Sequence, residues 1–347
     1  MRVLVVKTSS LGDIVHTMPA ITDMLAHVPA ITCDWLVEES FARLPTLHPA
    51  LNRIISVALR RWRHAPLSVH TIQEIKNFVK TLNANNYDYI IDFQGLAKSA
   101  ILAYIARGVR VGLDQYSARE GWVSFSYHRQ IAVSKQLHAI QRNRLLAAEA
   151  LAYPCPKTSP DYGLQVTPIV DARPYLVFIP FTSWPSKHWQ LHNWVELIKL
   201  AHQHDYATKI VCYNEAERKL ASTMLELANA GGSLLSQLDL VAVANWLASA
   251  AGIVGVDTGV MHLGAAFAVP TVALYGATSN QLTGILGLRR LNLTSSADCA
   301  PCHQRYCRKI GSNGNRTELG CPAMVTPHQV WASLSYILQL NAIKTLP

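Results

Sequence analysis

Short apolar runs alternate with longer amphipathic stretches along nearly the whole chain. In the first half, runs at 2–6, 33–37, 53–57, 89–92 and 109–112, with a weaker one at 129–132, have the length of buried strands. Between them, apolar positions recur at helical spacing over 13–26, 71–82, 96–106 and 139–151. The alternation then starts again: strands are predicted at 175–179, 209–213, 253–256 and 271–275, and helices near 190–202, 215–228, 240–249 and 260–268. Strands alternating with helices predict an α/β protein with parallel sheets. Pro154, Pro156, Pro160, Pro168 and Pro174 lie between the two sets. Proline at that density resists both helix and central strand. The boundary is placed there, giving Rossmann-like domains at 1–165 and 166–326. A helix over 327–347 follows an irregular polar segment and is free to pack back on the first domain.

Two strand-to-helix junctions carry the chemistry. Lys7-Thr8-Ser9-Ser10-Leu11-Gly12-Asp13 follows the first strand, and Asp257-Thr258-Gly259-Val260-Met261-His262 follows the strand at 253–256. Such turns sit at the carboxyl ends of strands, where doubly wound sheets bind ligands. Two of them predict a cleft between the domains with an acid on each wall. Gly12 allows a tight turn, and Asp13 at a helix start is either a cap or a general base. Gly259, Val260 and Met261 would offer amides at a helix N-terminus, a ready phosphate site, with Thr258 and His262 on the same face. Thr182, Ser183 and Lys187 follow another strand end and add two hydroxyls and a cation. One diphosphate accounts for all three loops. Arg60-Arg61-Trp62-Arg63, with Lys98, Arg119 and Arg142, reads either as an exposed solubility face or as an anion-recognition wall.

Composition narrows the class. Of 347 residues half are hydrophobic and 15% charged, as in a well-buried globular protein. The apolar run after Arg2 is too short for a signal peptide, and no stretch of about 20 uninterrupted apolar residues exists. A cytoplasmic protein is expected. The net charge is +9, with 18 Lys/Arg against 12 Asp/Glu in 1–165 and 13 against 10 thereafter. That bias favours an acidic partner: nucleic acid, an anionic membrane face or an acidic substrate. Seven cysteines, an odd number, argue against a disulfide framework. Cys33, Cys155 and Cys212 read as small buried hydrophobes. Cys299, Cys302, Cys307 and Cys321, with His303 nearby, have metal-like spacing; a structural zinc, free thiols and a local disulfide all remain open.

The ensemble of motifs is recognisable. The stretch from Lys7 through Asp13 to Pro19-Ala20 resembles the opening of the lipopolysaccharide heptosyltransferases, glycosyltransferase family 9. Asp34-Trp35-Leu36-Val37-Glu38-Glu39, the Arg60–Arg63 cluster, Ile91-Asp92-Phe93-Gln94-Gly95-Leu96-Ala97-Lys98-Ser99 and Ala118-Arg119-Glu120 look most like the type I branch. Lys187-His188-Trp189 and Val256-Asp257-Thr258-Gly259 with His262 are similar to its donor-side motifs. The cysteine segment looks more like other members, type II included, so a heptosyl-Kdo2-lipid A acceptor is the alternative.

The resemblance implies a GT-B fold, two facing Rossmann-like domains, the first for acceptor and the second for donor. It implies ADP-heptose as donor, Kdo of Kdo2-lipid A as acceptor, and inverting transfer without a catalytic metal or cofactor. Asp13 would then be the general base. Lys187, Thr182, Ser183, Thr258 and the Gly259 amide would meet the diphosphate. Glu215 and Leu238 would hold the nucleoside, and Asp257 the heptose hydroxyls, with His262 beside them. Arg60, Arg61, Arg63, Lys98, Arg119, His138 and Arg142 would face the anionic acceptor. Its membrane location implies peripheral association with the anionic cytoplasmic leaflet. Two rivals fit less well. A nicotinamide oxidoreductase needs a G-x-G-x-x-G spacing that neither junction has, and Asp13 and Asp257 would repel nucleic acid.

Overall fold

The computed structural model describes residues 1–287, 289–307 and 321–344. The chain divides into two units, Met1–Gln165 and Val166–Pro347.

The first unit is built on β1 (Arg2–Val6), β2 (Thr32–Glu38), β3 (Leu51–Val57), β4 (Tyr89–Asp92), β5 (Val109–Leu113) and β6 (Arg129–Ile131). Their order is β3-β2-β1-β4-β5-β6, all parallel. The sheet's central strand reads Val3-Leu4-Val5-Val6 without a polar residue because helices cover both of its faces. Leu4, Val6, Leu36 and Ile55 pack against Phe78 and Leu82 of the helix Val69–Leu82 and Leu102 of the helix Ala97–Ile105. The helix expected over 13–26 is two, Leu11–Val15 and Met18–His27. Pro19 cannot donate to the preceding turn, so the chain breaks and restarts there.

The second unit repeats the plan with β7 (Tyr175–Ile179), β8 (Ala207–Val211), β9 (Gly232–Leu235), β10 (Gly252–Val256), β11 (Thr271–Tyr275) and β12 (Arg290–Thr294), in the order β12-β11-β10-β7-β8-β9. The strands β9 and β12 are not legible in the apolar pattern. Both are edges, partly exposed, and lack the continuous hydrophobic run of a central strand. Gly232 opens β9 because a Cβ there would lie 2.6 Å from Leu225 Cδ2 and 2.8 Å from the Thr208 carbonyl.

The C-terminal helix is Pro327–Lys344; residues 345–347 of the stretch expected to be helical lie outside the described residues. Val330, Leu334 and Ile337 are buried in the second unit's core with Trp194, Leu197 and Val272. A stripe of apolar side chains at helical spacing gains most from the nearest unfilled sheet face, and here that face belongs to its own unit. Among the described residues no helix is long and apolar enough to cross a membrane.

Candidate functional site

In each sheet the strand order reverses once, between β1 and β4 in the first unit and between β10 and β7 in the second. The loops at the carboxyl ends of those strand pairs are the expected ligand crevices. Nearly every residue singled out from the sequence lies on one of these two edges.

In the first unit the two switch-point loops are stitched together. Buried Lys7 donates from Nζ to the Phe93 carbonyl at 2.8 Å. Gln94 Oε1 accepts from the Thr8 amide and hydroxyl at 2.8 and 2.7 Å, and Lys98 Nζ donates to Ser9 Oγ at 2.7 Å. Beneath them Asp92 is fully buried. It accepts from Tyr127 Oη (2.7 Å), Ser99 Oγ (2.8 Å) and the amides of Gln94 and Gly95. Burial, despite these donors, holds its pKa above the ordinary carboxylate value.

Asp13 sits over this frame. Its Oδ2 accepts from the Ser10 amide at 3.0 Å and from Ser10 Oγ at 2.8 Å, so the cap reading is half right. Its Oδ1 accepts no hydrogen bond from the described residues. Burial would raise its pKa, but the charge of Lys7 and the two Ser10 hydrogen bonds outweigh this and hold it below the usual carboxylate range. Burial also pushes Lys7 down, against the pull of Asp13 and Asp92.

The cations expected to face an anion are not equivalent. Arg61 is taken: it forms a fork to Glu39 at 3.1 and 3.0 Å and a second contact to Glu74 at 2.6 Å. Its pKa is held above the ordinary value by those two carboxylates. By sequence it groups with its neighbours; Glu39 and Glu74 come from other elements and show only in the fold. Arg60 stacks over Phe41 at 5.3 Å and its backbone amide donates to Glu38 Oε1 at 3.1 Å, but among the described residues neither its guanidinium nor that of exposed Arg63 is paired with a carboxylate. The loop after β5 carries exposed Arg119. Partial burial and nearby Arg60 push Lys98 down. His138 caps the helix Ala139–Leu151 and lies ring to ring with His16 at 5.8 Å. On that helix Arg142 donates from Nη2 to the Ser117 carbonyl at 2.6 Å, while its buried Nε has no partner among the described residues. Burial lowers its pKa. A half-buried guanidinium with one donor unmet is costly unless something anionic comes to it.

The second unit gathers a tighter cluster. Asp257, directly after β10, accepts from Lys187 Nζ at 2.6 Å and Thr278 Oγ1 at 2.5 Å on Oδ2, and meets His262 Nε2 at 3.3 Å on Oδ1. Burial would raise its pKa, but His262 and Lys187 hold it far below the ordinary value. Thr182 lies against the Asp257 carbonyl at 3.4 Å, and Ser183 follows it after β7. The helix Gly259–Ala265 is capped by Thr258, whose carbonyl takes the Met261 amide at 3.0 Å. Of the three free amides expected there, Gly259 and Val260 remain without an acceptor among the described residues. Glu215 opens the helix after β8, exposed and paired with Arg218 at 2.7 and 2.6 Å; Leu238 is half-buried just beyond β9. Thus Asp257, Lys187, Glu215 and Leu238 lie along one sheet edge in strand order β10-β7-β8-β9.

Thr278 and Gln94 were missed. Both follow strand ends, which is the signal that could have found them; Tyr127 offers none, since only packing brings it to Asp92. The cysteine segment braces the Lys187 turn: Ser186 donates from its amide to the Arg305 carbonyl at 3.2 Å and from Oγ to the Gln304 carbonyl at 2.6 Å. Cys299, Cys302 and Cys321 are free thiols. Burial first, then the other three thiols, push Cys321 up, so the four are in electrostatic reach. Among the described residues no group of three or more His, Cys, Asp or Glu is arranged to hold a metal ion; residues 308–320, between Cys307 and Cys321, lie outside them.

Residues 75–311 match the sequence profile of glycosyltransferase family 9 (heptosyltransferase). The chain belongs to that family. Lipopolysaccharide heptosyltransferase 1 of Pseudomonas aeruginosa is 43% identical over 312 residues, 88% of this chain and 87% of that one. The E. coli heptosyltransferase WaaC, solved with ADP, is 37% identical with a TM-score of 0.85, covering 97% of this chain and 100% of that one. The same enzyme with ADP-2-deoxy-2-fluoro heptose gives 36% and 0.82, covering 97% and 99%. A family 9 member with two parallel six-stranded sheets has the GT-B fold. It is a glycosyltransferase, which sets aside the oxidoreductase and nucleic-acid-binding rivals.

Proposed function

We propose that the chain transfers heptose from ADP-heptose to a Kdo residue of Kdo2-lipid A, inverting the anomeric centre without a catalytic metal. One observation carries the mechanism: Asp13 is held ionised, with Oδ2 fixed by Ser10 and Oδ1 open. Such a carboxylate is ready to take the proton of an attacking hydroxyl, a role that contributes typically 10²–10⁴-fold. ADP is already a good leaving group, so no general acid is needed. As the glycosidic bond breaks, charge grows on the diphosphate; Lys187 and the amides of Gly259 and Val260 meet it, with Thr182, Ser183 and Thr258 as further donors.

Glu215 and Leu238, which follow β8 and β9, would hold the nucleoside that extends from that diphosphate. Asp257, fixed by Lys187, Thr278 and His262, would read heptose hydroxyls. The uncompensated cations of the first unit, Arg60, Arg63, Lys98, Arg119 and Arg142, suit the carboxylates and phosphates of a lipopolysaccharide precursor. Arg61 and His138 complete that wall as supports. The name of the 43% relative favours the type I acceptor. The working place is the cytoplasmic face of the inner membrane, with peripheral attachment to its anionic surface.

The test compares heptose transfer to Kdo2-lipid A with transfer to heptosyl-Kdo2-lipid A, with and without chelator. Faster turnover of the first acceptor, insensitive to chelation, is expected. Preference for the second would move the chain to the type II activity. Loss of turnover with chelator, restored by metal, would refute the metal-free mechanism.

A further inference from the structure

The helix Ala97–Ile105 is apolar on both sides. Ala100, Leu102 and Ala103 are buried, yet Ile101 and Tyr104 stand 59% and 66% exposed. They share one stripe with Lys98, three residues apart each time. The turn Gly121–Ser126 behaves alike: Val123 and Ser124 are buried, while Trp122 and Phe125 are 64% and 76% exposed. A three-residue helical repeat eclipses positions i and i+3, so Trp122 and Phe125 project from one side.

These two elements adjoin. The Ala97 amide donates to Glu120 at 2.8 Å, and the Glu120 amide to the Gly95 carbonyl at 3.1 Å. Arg110 spans them, its guanidinium 4.9 Å from the Tyr104 ring and its Nε donating to the Ser126 carbonyl at 2.8 Å. Residues 97–130 hold five Lys/Arg and two acids. Both acids, Asp114 and Glu120, accept from backbone amides. What faces outward is large apolar side chains interleaved with cations. Lys98 ties this face to the Asp13 loop through Ser9.

The geometry points to an anionic bilayer as the occupant of this face, with Trp122, Phe125, Tyr104 and Ile101 entering the headgroup layer and the surrounding arginines and Lys98 meeting its charge. Aromatic side chains with a polar tip settle at that depth, and cations beside them complement an anionic leaflet. Four exposed large apolar side chains on two adjoining elements exceed the scattered ones of an ordinary surface. The continuity with Ser9 would bring a lipid-linked acceptor to Asp13, so the inference rests on the acceptor reading above.

The full chain is sedimented with vesicles of phosphatidylethanolamine and phosphatidylglycerol, and with vesicles of phosphatidylcholine, at low salt. Binding to the first is expected, with a blue shift of tryptophan emission. The double variant Trp122→Ser/Phe125→Ser should bind about tenfold more weakly or worse, while Trp122→Phe keeps binding but loses most of the shift. With a deacylated, soluble Kdo acceptor the double variant should turn over like wild type. Wild-type protein that ignores anionic vesicles, or a double variant that binds them as well as wild type, would overturn the docking face. So would a wild-type dimer that the double variant abolishes without any vesicle binding, since a second copy would then cover the face. Failure of wild type on the soluble acceptor would count against the acceptor reading instead, and the vesicle result would still decide the docking face.

Discussion

Asp13 and Asp257 invite comparison because each follows the strand at the topological switch of its own sheet. In the first unit the carboxylate lies in the short helix Leu11–Val15, beyond the loop 7–10, fixed through one oxygen by Ser10 and charged by the field of Lys7. In the second it lies at the strand end itself, with Lys187, Thr278 and His262 on its two oxygens. A carboxylate whose lone pairs are largely spent holds other groups in place. One with an open oxygen can accept a proton. On the function proposed above, identical topology yields a structural keystone on one side and a general base on the other, and the difference lies in a few donors.

Replacing Asp13 by Asn is the strongest test of that contrast. Turnover should fall by about 10²–10⁴-fold, while ADP affinity, measured by calorimetry, stays within a few-fold. A variant retaining more than about a tenth of wild-type kcat would return Asp13 to helix capping alone.

Removing Lys187 should instead act on the fold as well as the donor. Lys187→Met leaves Asp257 buried beside one fewer cation, and breaking such a pair costs on the order of 3–5 kcal/mol. Chemical denaturation should show that loss, together with weaker ADP binding. Unchanged stability would mean that Asp257 is not the keystone described. The pH dependence carries a defined sign. Asp257's folded pKa is depressed, so its stabilisation is complete above the unfolded carboxylate value, about 3.9, and is lost as pH falls below it. The stability gap between wild type and Asp257→Asn should therefore be flat from neutral pH to about 5 and close in stronger acid.

A smaller effect separates the cations within the first unit. Arg142→Met should raise acceptor KM by roughly tenfold, the value of one charge-assisted contact, and leave donor KM alone. Arg61→Met should change acceptor KM much less, because Glu39 and Glu74 already occupy it. Equal effects at both positions would mean that the acceptor recruits Arg61 away from its carboxylates.

The smallest effect is expected from the cysteine segment. Elemental analysis of reduced protein should find at most about one zinc per chain, and its removal should leave kcat nearly unchanged. If kcat falls instead, the bonds that Ser186 donates to the Gln304 and Arg305 carbonyls show where to look, since they hold the turn that carries Lys187.

The sequence by itself determined the two-sheet plan, the boundary in the proline-rich connector and the placing of Asp13, Lys187, Asp257 and the cations at strand ends. It could do so because buried parallel strands demand continuous apolar runs, and the turns after them carry the polar residues. Edge strands β9 and β12 escaped it, since a half-exposed strand leaves no such run. The break at Pro19 was written plainly in the sequence but was overridden by helical periodicity on either side. Tertiary structure alone decided which partners meet. Only the fold brings Glu39 and Glu74 to Arg61, Tyr127 to Asp92, Thr278 to Asp257 and the C-terminal helix to the second core. Hydrogen bonds and ion pairs form between groups close in space, and closeness across 20 or 100 residues is a property of packing that no local pattern encodes.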